Sequence, residues 1–181
     1  VTRLPLVLLA LLAVAASPAR AQLAHGDPIP AAALVDAADQ AGLVVVFWDA
    51  ACPWTERYAD RLGALVTSYR PAGVGFAFVE VGGPVEDDAP RRPAGPLVSD
   101  ADGALVAAFG VQRAPHVFFF GPEQTLLYDG AVDDSPAFAD RVQAPYLRLA
   151  LDQSIAGLPI EVQRTQAFGC KVDGAAPAAG R

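Results

Sequence analysis

Phe47-Trp48-Asp49-Ala50-Ala51-Cys52-Pro53-Trp54-Thr55 joins two segments of different hydrophobic period. Upstream, Leu43 to Trp48 is an unbroken β-branched and aromatic run, the pattern of a strand buried on both faces. Downstream, Trp54, Tyr58, Leu62, Leu65, Val66 and Tyr69 recur at helical spacing, with Glu56, Arg57, Asp60 and Arg61 on the other face. Pro53 suits a first helical turn, where its missing N–H costs nothing, and Pro71 and Gly73 end the helix. Cys52 therefore falls at or beside the helix N-cap. Unpaired amides and the positive end of the helix dipole face its sulfur there, a setting that lowers a thiol pKa and frees the thiolate as a nucleophile. The alternative reading of the same residue is a buried small hydrophobe or one half of an inert crosslink.

Working outward, Val74 to Val81 is a second apolar strand, which makes a right-handed βαβ unit with the first strand and helix. Gly82 to Pro96 is a long loop rich in proline and glycine, and Ala101 to Phe109 a modest helix. Pro115 to Phe120 and Thr125 to Tyr128 read as a hairpin across a Gly-Pro turn. Ala144 to Ala156 closes the chain as a helix with Pro145 in its first turn, and Leu158 to Val172 has no strong period. This order of elements predicts an α/β fold of thioredoxin-like type, a central mixed β-sheet flanked by helices on both faces.

At the N-terminus, Arg3 precedes an apolar run from Leu4 to Ala16 and then Ser17-Pro18-Ala19-Arg20-Ala21, the pattern of a secretory signal over residues 1–21. A membrane-anchored N-terminus is the alternative, although the run is short for a span. Gln22 to Pro30 reads as an extended arm and Ala31 to Ala41 as a short helix ended by Gly42. The domain organisation that follows is an arm over 22–34, one folded domain over 35–172 and a disordered tail over 173–181. Cleavage after Ala21 removes Arg3 and Arg20, so the net charge moves from −7 to −9. The expected location is periplasmic or secreted, where two thiols tend to become a disulfide.

Composition narrows the function classes. The chain of 181 residues is 53% apolar and 18% charged, one domain's worth of core and no long disordered segment. An acidic chain with no basic stripe argues against nucleic acid as a partner. Two Cys, two His and no Met exclude a multi-thiolate zinc site and a Met-rich copper site by counting, and neither a metal nor a cofactor is expected.

Four blocks resemble, in order, the thioredoxin-superfamily redoxins, in particular the secreted peroxiredoxin-like branch related to alkyl hydroperoxide reductase and the thiol-specific antioxidant proteins. They are the strand-Cys-Pro-aromatic-helix block ending Arg57-Tyr58-Ala59-Asp60-Arg61-Leu62; Phe109-Gly110-Val111 with Ala114-Pro115 and a strand; Leu127-Tyr128-Asp129-Gly130 with Val132-Asp133-Asp134-Ser135; and a closing helix with a tail ending Gly169-Cys170-Lys171-Val172. The resemblance covers about residues 35 to 172. It implies that Pro115 is a cis-proline beside the active sulfur, holding backbone that receives a partner's extended chain. The alternative is an ordinary proline at a strand's first residue. Arg113 is a candidate for positive potential near Cys52, or else a solvated loop charge. His116 is either a proton shuttle or a strand histidine with a satisfied hydrogen bond.

The departures are informative too. The chain reads Cys52-Pro53-Trp54-Thr55 where thioredoxins carry Cys-x-x-Cys, so a local dithiol cycle is impossible. Thr55 is a candidate donor to the thiolate, or a support of the first helical turn. Peroxiredoxins carry Pro-x-x-x-Thr-x-x-Cys, and the matching positions here are Val45 and Asp49. A carboxylate at Asp49 turned toward the sulfur would raise the thiol pKa. Cys170 is either a resolving thiol for Cys52, half of a permanent staple, or a free thiol on a mobile tail.

Three readings follow. The first is an exported thiol-disulfide oxidoreductase with Cys52 as nucleophile and Cys170 as resolving thiol, acting on disulfide-bearing proteins or small thiol oxidants with an external thiol reductant. The second is a peroxidase reducing peroxides through a Cys52 sulfenic acid. The third is a non-enzymatic binding module with a fixed bridge. None of them involves nucleic acid, or a membrane once the signal is cleaved.

Overall fold

A computed structural model describes residues 22–31, 34, 39, 41–81 and 93–172. Residues 1–21, expected to be a secretory signal, residues 173–181, expected to be a disordered tail, most of the expected 31–41 helix and residues 82–92 of the expected long loop lie outside the described residues. The elements are β1 (Gly42–Trp48), α1 (Pro53–Tyr69), β2 (Val74–Glu80), β3 (Leu97–Ser99), α2 (Ala104–Phe109), β4 (Arg113–Ala114), β5 (His116–Phe120), β6 (Leu126–Gly130), α3 (Tyr146–Ile155) and β7 (Cys170–Lys171).

The continuous apolar run of β1 is explained by its place at the middle of the sheet. Every residue of it is buried. It pairs in parallel with β2, from Gly42↔Val74 to Trp48↔Glu80, and antiparallel with β5, from Leu43↔Phe120 to Phe47↔His116. The five strands run in the order β3-β2-β1-β5-β6, a mixed sheet. Gly42 begins β1 because a Cβ there would overlap the Phe120 carbonyl oxygen.

Alternation along β1 feeds two cores. Val44, Val46 and Trp48 face α1 and α3, meeting Tyr58, Leu62, Leu65, Leu147 and Leu151. Val45 and Phe47 face the other side, with Val106 and Phe109 of α2, Val111 and Phe118. Helices thus cover both faces of the sheet, as the order of elements predicts. No helix among the described residues is long and apolar enough to cross a membrane.

Several boundaries differ from the sequence reading. The inner face of α1 carries Thr55, fully buried, where the periodicity placed Trp54, which is only half-buried. Helix α2 begins at Ala104 rather than Ala101, because the Asp100 carboxylate accepts from the Leu105 and Val106 amides (2.8 and 2.7 Å) and leaves 101–103 as a turn. Pro145 is the N-cap of α3, with ψ 73°, and stands before its first helical residue. The short strand β3 is not among the elements read from the sequence: Leu97 and Ser99 are exposed, so no buried run marks it. The segment read as one strand from Pro115 is preceded by a separate short strand, β4, that belongs to a second sheet with β7.

The Asp100 cap gives a direct check. Asp100→Ala should lower stability by about 0.5–2 kcal/mol, read from the urea midpoint. An unchanged midpoint would mean that α2 does not depend on those two bonds.

Candidate active site

β1 delivers the chain to the C-terminal edge of the sheet, and residues 49–52 turn it into α1. Asp49 Oδ1 accepts from the Ala51 amide at 2.9 Å, and the Asp49 carbonyl accepts from the Cys52 amide at 3.1 Å. The Asp49 carboxylate is thus engaged with its own turn. Cys52 is the N-cap of α1, in extended conformation, and Pro53 follows at the first helical position. The Glu56 amide donates to the Cys52 carbonyl (3.2 Å) and closes the first turn. The amides before it have no intrahelical acceptor and lie at the positive end of the helix.

Facing Cys52 is β4. The Ala114–Pro115 peptide is cis, as the resemblance implied, and Pro115 is buried. The Ala114 carbonyl oxygen lies 3.5 Å from Cys52 Sγ. In the disulfide this is a contact; in a thiol it is an acceptor for S–H.

Cys170 arrives from the other end of the chain. It forms a disulfide with Cys52 across a Cα–Cα distance of 6.0 Å and a sequence separation of 118. No free cysteine remains. Its strand β7 pairs antiparallel with β4, Ala114 opposite Cys170 and Arg113 opposite Lys171. The Val172 amide donates to the Gln112 carbonyl at 3.0 Å. Cys52 is 2% exposed, whereas Cys170 is half-buried. Of the two residues, the one on the tail is the more open to an attacking thiol.

The structure brings the predicted site residues Cys52, Thr55, Arg113, Pro115 and Cys170 to one end of the sheet. Arg113 donates to the Gly169 carbonyl at 2.8 Å, so its guanidinium holds the tail beside Cys170. Thr55, one helical turn after Cys52, is fully buried with no hydrogen-bond partner for Oγ1 among the described residues. Trp54 and Phe168 meet edge to face, their ring centroids 4.8 Å apart, which ties α1 to the tail.

Sequence reasoning missed how the tail is held before it reaches Cys170. Asp129, in β6, is 1% exposed. Its amide donates to the Gln163 carbonyl and its carbonyl accepts from the Thr165 amide, each at 3.0 Å. Its carboxylate accepts from Arg164 Nε at 2.8 Å and lies 3.3 Å from His25 Nε2. Thr165 Oγ1 accepts from the Ala131 amide (2.9 Å) and bonds the Tyr128 hydroxyl (2.7 Å). His116, expected to have a satisfied hydrogen bond if structural, has none at either ring nitrogen among the described residues: Nε2 stands 3.8 Å from Asp129 Oδ2, and the ring packs on Phe118. The available signal was a lone carboxylate in an apolar strand, which demands a partner without naming it.

No protein-family model matches the chain, and no curated protein matches it. Solved structures do. A hypothetical protein from Sinorhizobium meliloti is similar at 21% identity and TM-score 0.68, over 87% of this chain and 96% of that one. A candidate thiol:disulfide interchange protein DsbE from Chlorobium tepidum is similar at 17% identity and TM-score 0.56, over 75% and 98%. A thioredoxin-like protein in its oxidised form matches at 16% identity and TM-score 0.50, over 66% and 80%. At these identities the likeness establishes the fold: the chain is thioredoxin-like, with a thiol:disulfide interchange-type protein among its structural neighbours.

Burial by itself would raise the Asp129 pKa, but His116 and Arg164 outweigh it and hold the carboxyl below its usual value of 3.8. A folded pKa below the unfolded one means stability that is complete above pH 3.8 and lost as pH falls through the folded value. Asp129→Asn should cost roughly 1.5–3 kcal/mol at neutral pH, the range for hydrogen bonds to charged groups. It should also flatten the loss of stability below pH 4, as measured by urea midpoints across the acid range. A variant that keeps the wild-type slope would show that Asp129 does not anchor the tail.

Proposed function

We propose that this protein is an exported thiol-disulfide oxidoreductase whose redox couple is Cys52–Cys170. The observation that carries the proposal is the bridge itself: a buried cysteine at a helix N-cap is linked to a half-buried cysteine on a tail held at its end by a two-residue strand. The export is part of the proposal and rests on the signal pattern in residues 1–21.

The chemistry runs in two halves. In regeneration, an external thiolate attacks the more open Cys170 Sγ, the Cys52–Cys170 bond breaks, and Cys52 leaves as thiolate. The helix amides stabilise that anion, and a leaving thiol of low pKa departs faster. The idle Thr55 hydroxyl, one turn away, is a further donor for it. A second external thiol then releases Cys170, so two thiols are oxidised to a disulfide and the couple becomes a dithiol. In the forward half, the Cys52 thiolate attacks one sulfur of a partner disulfide, that S–S bond breaks with the other partner sulfur leaving as thiolate, and a mixed disulfide with Cys52 forms. Cys170 attacks Cys52 Sγ, the partner leaves as a thiol, and the internal bridge returns.

The peroxidase reading lacks the hydroxyl that its sequence pattern places three residues before the cysteine. Asp49 stands where the peroxide-positioning hydroxyl belongs, and its carboxylate is bonded to Ala51. A permanent staple would stabilise the fold, by up to about 4.7 kcal/mol for a loop of ~100 residues in the chain-entropy model, without turning over.

Insulin reduction by a dithiol separates oxidoreductase from staple. The wild type should accelerate it, Cys52→Ser should fall to the uncatalysed rate, and Cys170→Ser should accumulate a mixed disulfide on Cys52. Equal rates in all three proteins would remove the redox role.

A further inference from the structure

The β4 edge is occupied by the chain's own tail, and the contacts of that tail form a template. Backbone pairing sets Cys170 opposite Ala114 and Lys171 opposite Arg113. Arg113 reaches the carbonyl of the residue before the cysteine. That residue is Gly169, and a Cβ on it would overlap the Ala114 carbonyl, backbone that cannot swing aside as a side chain would. One position earlier, Phe168 packs its ring on Trp54. Two positions beyond the cysteine, Val172 is 6% exposed and packs into the apolar cluster with Phe109, Val111 and Ala114. Lys171 between them is exposed.

We infer that the tail is an internal stand-in for the partner, and that Cys52 selects extended peptides of the form aromatic-Gly-Cys-any-apolar. The inference rests on the oxidoreductase reading and narrows its substrate class. A partner segment bearing a disulfide takes the place of residues 168–172 along β4 once the internal bridge is open. It brings its cysteine to Cys52 in the register that Cys170 now holds. Glycine before the cysteine is required by the closeness of the Ala114 carbonyl. The aromatic residue adds affinity through Trp54, and the position after the cysteine is free to vary. Cys52 Sγ then attacks the partner's cysteine sulfur, one S–S bond forms to Cys52, and the sulfur formerly bonded to that cysteine leaves as thiolate. The tail competes for the same edge, so weakening its hold favours the partner.

The test uses the full chain carrying Cys170→Ser, so that Cys52 is free and cannot be resolved. The probes are Phe-Gly-Cys-Lys-Val, Phe-Ala-Cys-Lys-Val and Ala-Gly-Cys-Lys-Val, each activated at its cysteine as the thionitrobenzoate disulfide, with similarly activated free cysteine as the control. The release of thionitrobenzoate reports the rate. The first peptide should react about tenfold faster than the alanine-for-glycine peptide, and measurably faster than the peptide without the aromatic ring. Adding Gly169→Ala to the protein should loosen the tail and speed capture of the first peptide. Equal rates for the glycine and alanine peptides, with the control reacting normally, would overturn the template alone. Failure of Cys52 to react with any probe, control included, would overturn the oxidoreductase reading beneath it.

Discussion

At Ala114 the sheet, the start of helix α1 and the C-terminal tail come within contact of one another, and the geometry of the candidate site depends on that meeting. Its carbonyl oxygen lies 3.5 Å from Cys52 Sγ, its backbone pairs with Cys170, and the same carbonyl excludes any side chain at position 169. Each neighbour is delivered by a different part of the chain. β1 ends the sheet at Trp48 and turns into α1 with Cys52 as its cap; β4 precedes the strand that pairs with β1; the tail comes back from α3. The disulfide joins parts of the molecule already brought close by backbone pairing.

That closeness itself has a cause further along the tail. Asp129 is buried and would be costly to leave charged without partners, and its partners come from two remote segments, Arg164 ahead of Cys170 and His25 in the N-terminal arm. His25 Nε2 also lies 2.9 Å from the Gln163 carbonyl, so the arm and the tail share one anchor on β6. The tail is accordingly fixed at two places: around Thr165, by three hydrogen bonds of Thr165 and a fourth from the Asp129 amide to the Gln163 carbonyl, and around Cys170, by the disulfide, the pairing with β4 and the bonds from Arg113 and Val172. The hold around Thr165 does not depend on the bridge, so it keeps the tail beside β6 whether Cys52–Cys170 is open or closed.

The parts of this arrangement that were legible in sequence are those with local period. β1 and α1 were read directly, the helix from Pro53 to Tyr69 without a change at either end, because a buried strand and an amphipathic helix each repeat over many residues. The first turn of α1 was less clear, since the spacing of apolar residues favoured Trp54 over Thr55 as the inward position. The hydroxyl of Thr55 gave no sign of being fully buried. β3 was illegible for the opposite reason: three residues at an exposed edge have no period to read. The tail shows the limit most clearly. Its two anchors pair residues that lie far apart in sequence, 129 with 164 and 114 with 170, and neither pairing has a local signature. Of the three readings of Cys170, its bond to Cys52 sets aside only the free thiol.

A helix N-terminus favours the thiolate of Cys52, and so favours the reduced pair over the bridge. Cys170 is half-buried on a two-residue strand, which leaves its side of the bond the more open one. The central claim is that this bridge opens and closes under physiological thiol couples. Its most direct measurement is the reduction potential of Cys52–Cys170, from the fraction reduced in a series of thiol buffers. The account predicts a value above about −300 mV, and a value well below it, as for structural disulfides that resist such reductants, would contradict the account.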